Sequence, residues 1–269
     1  MKKTLIALIL VVACAGSSFA GVSFLIAPSV GAGKVAVLGM YATNHNAEKT
    51  GNLSKDDALG AGGYCAQALD TTSLGIRAEY GIPMVEDLDV LAAYSSDTYV
   101  NVKKQLDVNQ KSASTTGLGV KYTLNNSLNK LWGVTLPVDV AAVLGYEYSA
   151  VDFGSTVDRM GQTTLGLGGV VSKKIDMYIP YGAIALKSLS QNAMPGVDAR
   201  PGTGIAFNIG CMIGVADNQA VAIEYNTETQ SWADNAKAGG LIAPGVSLDK
   251  DNAYVQSVSG ISLGYVYVF

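Results

Sequence analysis

Apolar side chains recur at every second position through most of this 269-residue chain. In one typical stretch, Ile205, Phe207 and Ile209 alternate with small or polar residues. A two-residue period is that of a β-strand with two different faces, and it argues against an amphipathic helix. Ten segments show it: 34–43, 70–82, 88–97, 115–124, 136–149, 162–172, 176–188, 202–214, 218–229 and 254–269. The pattern predicts an all-β protein of about ten antiparallel strands, with about eight or twelve as alternatives.

The composition supports this fold class. Only 15% of the residues are charged, 49% are hydrophobic and 31 are glycine, whereas about 25% of an average soluble domain is charged. Such a balance argues against a helical protein and against ordinary disorder. No Lys/Arg cluster interrupts the chain, so we expect no nucleic-acid partner.

The links between the segments alternate in length. Short links cover 83–87, 172–175 and 214–219, and long links cover 44–69, 98–114, 150–161, 189–201 and 230–253. Link 125–135 is intermediate and is predicted to hold a short helical turn. An even number of strands places every long link on one side. This arrangement is typical of an up-and-down barrel with one trimmed end.

Two features indicate that the apolar face is the outer one. The opposite face consists of Gly, Ala, Ser and Thr with scattered charges, as a narrow lumen requires. Aromatic residues also lie toward strand ends, where they would form interfacial girdles: Tyr80, Tyr94, Tyr122, Tyr146, Tyr148, Tyr225, Tyr265, Tyr267 and Phe269. A sheet exposed to lipid must close on itself, which predicts a transmembrane β-barrel. The alternative is a secreted or lipid-anchored β-sandwich that binds a ligand, with its apolar face buried.

The N-terminus has the pattern of a secretory leader. Lys2 and Lys3 precede an apolar run at 4–13, and Ala20-Gly21 completes a small-residue cleavage site. A competing site is the lipobox-like sequence ending at Cys14, where lipidation would create a different N-terminus. Cleavage after Ala20 is the favoured prediction, and both alternatives take the chain out of the cytoplasm.

The last residues resemble the C-terminal assembly signal of bacterial outer-membrane β-barrel proteins. That signal has a polar residue, a glycine and alternating aromatic or hydrophobic positions ending in Phe, and its counterparts here are Ser262, Gly264, Tyr265, Tyr267 and Phe269. The resemblance implies residence in the outer membrane, with outer-membrane lipid, periplasmic chaperones and the assembly machinery as partners. The implied organisation is a leader at 1–20, a periplasmic segment at 21–33 and a barrel domain at 34–269. In that barrel, β-strand 254–269 would close against 34–43.

The alternation also predicts which charged residues enter the lumen. An arginine or lysine facing the centre of the bilayer costs about 2–4 kcal/mol, so the inward set is Arg77, Glu79, Lys121, Asp139, Glu147, Glu224 and Glu228. Lys187 is a further candidate. We predict that these side chains pair with one another and form a salt-bridged plug of side chains that fills a narrow barrel. The alternative is an acidic eyelet that favours cations.

No residue pattern indicates catalysis. His45, the only histidine, is predicted to lie in an outer loop without a nearby Cys or second His. We therefore expect no enzyme activity, no metal site and no cofactor. Cys65 and Cys211 are predicted to lie at opposite ends of the barrel and to stay free.

The predicted function is that of an integral outer-membrane barrel with a structural, surface-interaction or minor-pore role. The alternative within the same fold is a porin-type diffusion channel for small solutes with an acidic lumen. The sequence assigns no solute, ligand or oligomeric state.

Overall fold

The protein is a closed barrel of ten strands. The computed structural model describes residues 24–50, 68–102, 112–152, 160–192, 200–232 and 254–269. The strands are β1 (Val35–Thr50), β2 (Ala68–Gly81), β3 (Leu88–Val102), β4 (Ser112–Thr123), β5 (Asp139–Asp152), β6 (Met160–Ser172), β7 (Tyr178–Asn192), β8 (Arg200–Ala216), β9 (Gln219–Trp232) and β10 (Tyr254–Val268). One helix, α1 (Asn125–Trp132), occupies the β4–β5 link, where a helical turn was predicted. The predicted fold class and strand number are confirmed.

Every strand pairs antiparallel with its neighbours in the chain, and β1 pairs with β10 to close the sheet. Ala36 lies opposite Val268, as expected for closure by the C-terminal strand. When paired residues are followed once around the barrel from Val35, the path returns to β1 at Ala47, an offset of twelve residues. Such a stagger corresponds to strands tilted by about 40° from the barrel axis.

Most strands extend farther toward the long-link end than the alternation predicted. Strand β1 continues to Thr50 rather than ending near residue 43. The prediction that His45 lies in an outer loop is therefore wrong, because His45 belongs to β1 and pairs with Ser259. Beyond residue 43 the residues on both faces of β1 are mostly polar, so the sequence shows no alternation that would indicate a strand. The backbone hydrogen bonds continue because they do not depend on the type of side chain.

The exterior of the barrel is apolar. Leu74, Leu118 and Ile209 are 63%, 61% and 66% exposed. The predicted girdle residues Tyr94 and Tyr225 also point outward. A β-sandwich would bury this face, so the closed sheet with its apolar exterior excludes that alternative. Among the described residues no helix is long and apolar enough to cross a membrane.

The short links, the start of β1 and the end of β10 all lie at the same end of the barrel, which we name the short-link end. Pro180 lies there, just beyond the last β6–β7 register pair of Ser172 with Tyr181. Its carbonyl oxygen accepts a 3.1 Å bond from Lys173 N, and the N–H that proline lacks falls at the end of the ladder, where proline is tolerated. Asp87 and Asp176 adopt positive φ angles of 65° and 55° in two of the links, a conformation that aspartate tolerates better than most residues.

The segment before β1 departs from the expected organisation. Residues 21–33 were assigned to the periplasm, whereas in the structure Phe24, Leu25 and Ala27 are buried inside the barrel. The chain enters the lumen at the short-link end, and residues 24–30 form what we call the N-terminal plug. An unbroken apolar run at 24–27 buries both of its faces, which a segment in water would not do.

Candidate functional site: the plugged lumen

The N-terminal plug packs between two apolar parts of the barrel wall. On one side, Phe24 and Ile26 contact a cluster formed by Leu38, Met40, Ala42, Tyr181, Met212 and Ala222. On the other side, Leu25 and Ala27 belong to a cluster with Leu91, Ala141, Val143 and Val170. The interior at this end therefore contains two apolar clusters that pack against the plug. The lumen is less uniformly small and polar than predicted, since Leu38, Leu91 and Met212 also enter it.

Side chains of the wall bind the backbone of the plug. Arg77 Nη2 donates a 2.7 Å hydrogen bond to the Phe24 carbonyl oxygen. Lys121 Nζ donates to the carbonyl oxygens of Ile26 at 3.1 Å and Pro28 at 2.8 Å.

Two hydroxyl groups complete this set at Ala27. Its carbonyl oxygen accepts a 2.7 Å bond from Thr123 Oγ1, and its N–H donates to Ser172 Oγ at 3.1 Å. Since residues 24–30 belong to no strand, these side chains supply partners that a neighbouring strand would otherwise provide.

Lys121 is the centre of a buried charge cluster. It is 0% exposed and forms ion pairs with Glu79 and with Asp89, whose Oδ2 lies 3.2 Å from Lys121 Nζ. Arg77 Nη2 lies 3.9 Å from Glu79 Oε2, and Lys121 is the closer partner of Glu79. Ser29 Oγ of the plug donates to Asp89 Oδ1 at 2.6 Å. The cluster thus joins the plug to three adjacent strands.

Glycines make room for the plug at its two ends. A Cβ at Gly264 would lie 3.1 Å from Phe24 Cε2 and 2.9 Å from Leu38 Cδ1. At the mouth, Gly33 N donates to Gly81 O at 2.8 Å. Gly31 and Gly33 have φ angles of 94° and 76°, which let the chain turn from the plug into β1.

The other predicted lumen residues lie in separate places. Lys187 and Glu228 form a second buried ion pair nearer the long-link end, and Gln230 Nε2 donates to Glu228 Oε1 at 2.6 Å. Glu147 is buried beside Gly117, its partner in the β4–β5 register.

Glu224 and Asp139 lie closer to the plug. Glu224 is buried and interacts electrostatically with Arg77. Asp139 is half-buried at the short-link mouth. Among the described residues, the buried ion pairs of the lumen therefore fall in two groups, one beside the plug and one nearer the long-link end.

Space remains beside the plug at the mouth. A cavity of about 710 Å³ lies between the plug and the wall formed by β1, β2 and the four strands from β7 to β10. A second, of about 370 Å³, lies on the other side, where Pro28 and Ser29 face Asp87 and Asp139.

The terminal motif alternates between the two faces of β10. Ser262 is fully buried in the lumen. The outward-pointing Tyr265 hydroxyl donates to Gln219 Oε1 at 2.6 Å. The rings of Tyr267 and Phe269 lie 4.6 Å apart, and Phe269 N donates to Val35 O at 2.8 Å.

Several predicted residues lie outside the described part of the chain. These are Cys14, the Ala20-Gly21 cleavage site and Cys65. Cys211 is half-buried on the outward-facing side of β8 and forms no disulfide with the described residues.

Sequence reasoning missed Asp89 and the plug. Asp89 occupies an inward position of β3, and the alternation of 88–97 was a signal for it. The run Phe24 to Ala27 was a second signal, because a short continuous apolar run is consistent with a chain buried on both faces. Among the described residues no group of three or more His, Cys, Asp or Glu side chains could hold a metal ion.

No known family description matches the sequence, and no curated protein matches it. The chain is similar to solved membrane barrels. The outer membrane protease OmpT from Escherichia coli shares 10% identity over 88% of this chain and 97% of its own, with a TM-score of 0.47.

Two other solved structures show the same level of likeness. Ail, the attachment invasion locus protein of Yersinia pestis, shares 12% identity over 89% of this chain and 100% of its own, with a TM-score of 0.32. An outer membrane channel from Pseudomonas putida shares 10% identity over 90% and 98%, with a TM-score of 0.40. These likenesses assign no function. The closed ten-strand sheet and its apolar exterior give the chain the fold of a transmembrane antiparallel β-barrel.

Proposed function

We propose that this protein is an integral outer-membrane barrel that its own N-terminal plug keeps closed, with a structural or surface-interaction role rather than an open-pore role. The observation that carries the proposal is the hydrogen bonding of the plug carbonyls by Arg77, Lys121 and Thr123 inside the barrel. In outer-membrane barrels the short turns face the periplasm, so the plug would enter from that side. The long loops would carry any surface interaction.

Packing and charge both support a closed resting state. The plug buries apolar side chains against both sides of the wall. Displacing it would also remove backbone partners from Lys121, which is buried with Glu79 and Asp89. Opening this half of the barrel by moving the plug would carry both losses.

Conductance in planar bilayers tests this function. We expect the refolded protein to show no steady open current. A variant lacking residues 21–30 should conduct and should favour cations, because carboxylates would then line the emptied lumen. The double variant Phe24→Ser/Leu25→Ser should open partly, whereas Met84→Ser, at an exposed position of the β2–β3 link, should stay silent. Steady open current from the unmodified protein would overturn the closed-barrel function.

A gated porin-type channel is the second candidate. It is favoured by the way the plug is held, since side chains of the wall, rather than a strand ladder, bind residues 24–30. Just after the plug, one β-bridge joins Ala32 to Gly81. The plug could leave without opening the sheet. In a Cys65→Ala/Cys211→Ala background, a disulfide between Ala27→Cys and Ser172→Cys should abolish voltage-induced current, and reduction should restore it. Current that persists in the crosslinked form would exclude gating by the plug.

Removal of the leader after Ala20 is part of the proposal. That cleavage leaves three residues before Phe24, which lies inside the lumen. A lipidated Cys14 would instead have to reach the membrane from a buried Phe24 through a mouth occupied by residues 24–33. Mass spectrometry of the purified protein should find Gly21 as the first residue, and an acylated Cys14 would contradict this part of the proposal.

Catalysis is not included in the proposed role. His45, the only histidine of the sequence, points outward from β1 and away from the lumen. The plug lies against Arg77 and Lys121, which donate hydrogen bonds to its backbone carbonyl oxygens, so we assign these charged groups to holding the plug. Incubation with lipid and peptide substrates should give no turnover above that of heat-unfolded protein, and turnover would contradict the non-catalytic role.

A further inference from the structure

Helix α1 is fixed to the short-link end by its polar side. Asn126 Nδ2 donates a 2.8 Å bond to Asp87 Oδ2. One turn later, Lys130 Nζ lies 2.8 Å from Glu86 Oε2. Residues four positions apart share one side of a helix, so the side that carries Asn126 and Lys130 faces the β2–β3 link.

The ends of α1 are also held. Asn125 Nδ2 donates to Val138 O, and Val140 N donates to Asn125 Oδ1, both at 2.8 Å. At the other end, Gly133 has a φ of 66°, and its N–H donates to Asn129 O at 2.8 Å. This left-handed cap ends the helix. The orientation of α1 relative to the barrel is therefore well defined.

The opposite side of α1 is apolar, and the described residues leave most of it uncovered. Leu131 and Trp132 are 72% and 73% exposed, and Leu128 lies one turn before Trp132. At 100° per residue these three positions centre on the side opposite Asn126 and Lys130. Large apolar side chains that cluster in this way mark a surface that contacts lipid or another molecule.

The position of Ser127 shows that the apolar side of α1 lies next to the outer surface of the barrel. Ser127 Oγ lies 2.6 Å from the Tyr122 hydroxyl oxygen, and Tyr122 occupies the outward face of β4, in line with the exposed Leu118. Leu131 follows Ser127 by four residues and so lies on the same side of the helix. The apolar side of α1 is thus continuous with the lipid-facing wall.

We propose that α1 is an interfacial anchor that lies in the headgroup region of the periplasmic leaflet, with Leu131 and Trp132 in contact with lipid. Short amphipathic helices bury their apolar side about 5–10 Å into this boundary, and tryptophan favours it because its ring is apolar and its N–H is polar. The anchor requires that the barrel span the membrane, but it is independent of the state of the plug.

Fluorescence of a single-tryptophan variant tests the anchor. The chain has two tryptophans, Trp132 and Trp232, so Trp232→Phe leaves Trp132 as the only one. In liposomes of brominated phosphatidylcholine, we expect its emission to be roughly halved relative to unbrominated lipid, with bromines near the headgroup quenching most. Leu131→Asp in this background should shift the emission to longer wavelength and weaken quenching by bromolipid.

The readout separates lipid from water or a protein partner. The anchor would be overturned if brominated lipid did not quench the emission at any bromine depth while iodide did. The apolar side of α1 would then face water or a protein. If Trp232→Phe does not fold, as judged by heat-modifiable gel mobility, Leu131→Cys in a Cys65→Ala/Cys211→Ala background carries a bimane label. That label should report an apolar environment, and a fully aqueous spectrum would also overturn the proposal.

Discussion

The ring of Phe24 packs so closely on Gly264 that a Cβ added to that glycine would lie 3.1 Å from Phe24 Cε2. The contact joins the plug to β10, the strand that closes the barrel against β1. Gly264 therefore has a structural effect in addition to being part of the motif that resembles an assembly signal. It leaves the space that the plug occupies.

Gly264→Ala should loosen the plug. The new methyl group would contact Phe24 and Leu38, and overpacking of this kind costs about 1–3 kcal/mol. Urea unfolding and protease cleavage within residues 24–30 would measure the effect, and Gly264→Ala should cost less in a Phe24→Ala background than in the unmodified chain, because one of its two contacts is then absent. Gly39→Ala is the control, because a Cβ at that outward position meets nothing within 4 Å. Equal loss from both substitutions would contradict the steric explanation.

Lys121→Met should destabilise the barrel and release the plug. It leaves Glu79 and Asp89 without their shared cation and Ile26 and Pro28 without a donor. Breaking a buried pair by removing one partner costs about 3–5 kcal/mol. The free energy of unfolding from urea titration in detergent would measure it.

Lys130→Met is the matched control for Lys121→Met. It removes a lysine whose ion pair with Glu86 is exposed, with side chains 67% and 68% accessible. Solvent screens exposed pairs, so we expect little change in the urea midpoint. A loss as large as that of Lys121→Met would show that charge alone, rather than burial, determines the effect.

Deletion of Phe269 should sharply lower the amount of folded protein in the outer membrane of expressing cells. Its side chain is exposed, so the isolated chain should still refold in detergent with most of its stability. The comparison of membrane fractions with refolding in vitro separates an assembly signal from a packing role. Unchanged levels in cells would remove the assembly interpretation.

Cys211 should react with lipid-soluble N-ethylmaleimide in the membrane but resist charged thiol reagents. It lies on the outward side of β8 beside the exposed Ile209. Mass spectrometry of the labelled protein would show this difference. An intramolecular bond between Cys65 and Cys211 in native protein would contradict their predicted placement at opposite ends of the barrel.

Much of the barrel could be predicted from local pattern. The face assignments of Glu79, Lys121 and Glu224 followed from strand alternation, and the structure buries all three. Their partners could not be read in the same way. Asp89 meets Lys121 because β3 and β4 pair in one register, whereas Lys121 reaches Glu79 across the intervening strand. Alternation gives the face of a residue, while the register between strands gives its neighbours.

The ends of the strands were less predictable for a related reason. Beyond residue 43, β1 is held by backbone bonds to β2 and β10, such as those around His45. Once both faces are polar, side-chain pattern no longer distinguishes a strand from a loop.

By itself, the sequence determined the fold class, the outward face and most of the charges that enter the lumen. These properties follow from a period of two residues and from the high cost of a charge in lipid. Only the tertiary structure decided where Phe24 to Ala27 lie, because an unbroken apolar run has no period that identifies its partners. Those partners include Arg77, Lys121, Ser172 and Gly264. They are far apart in the chain and come together only when the barrel closes.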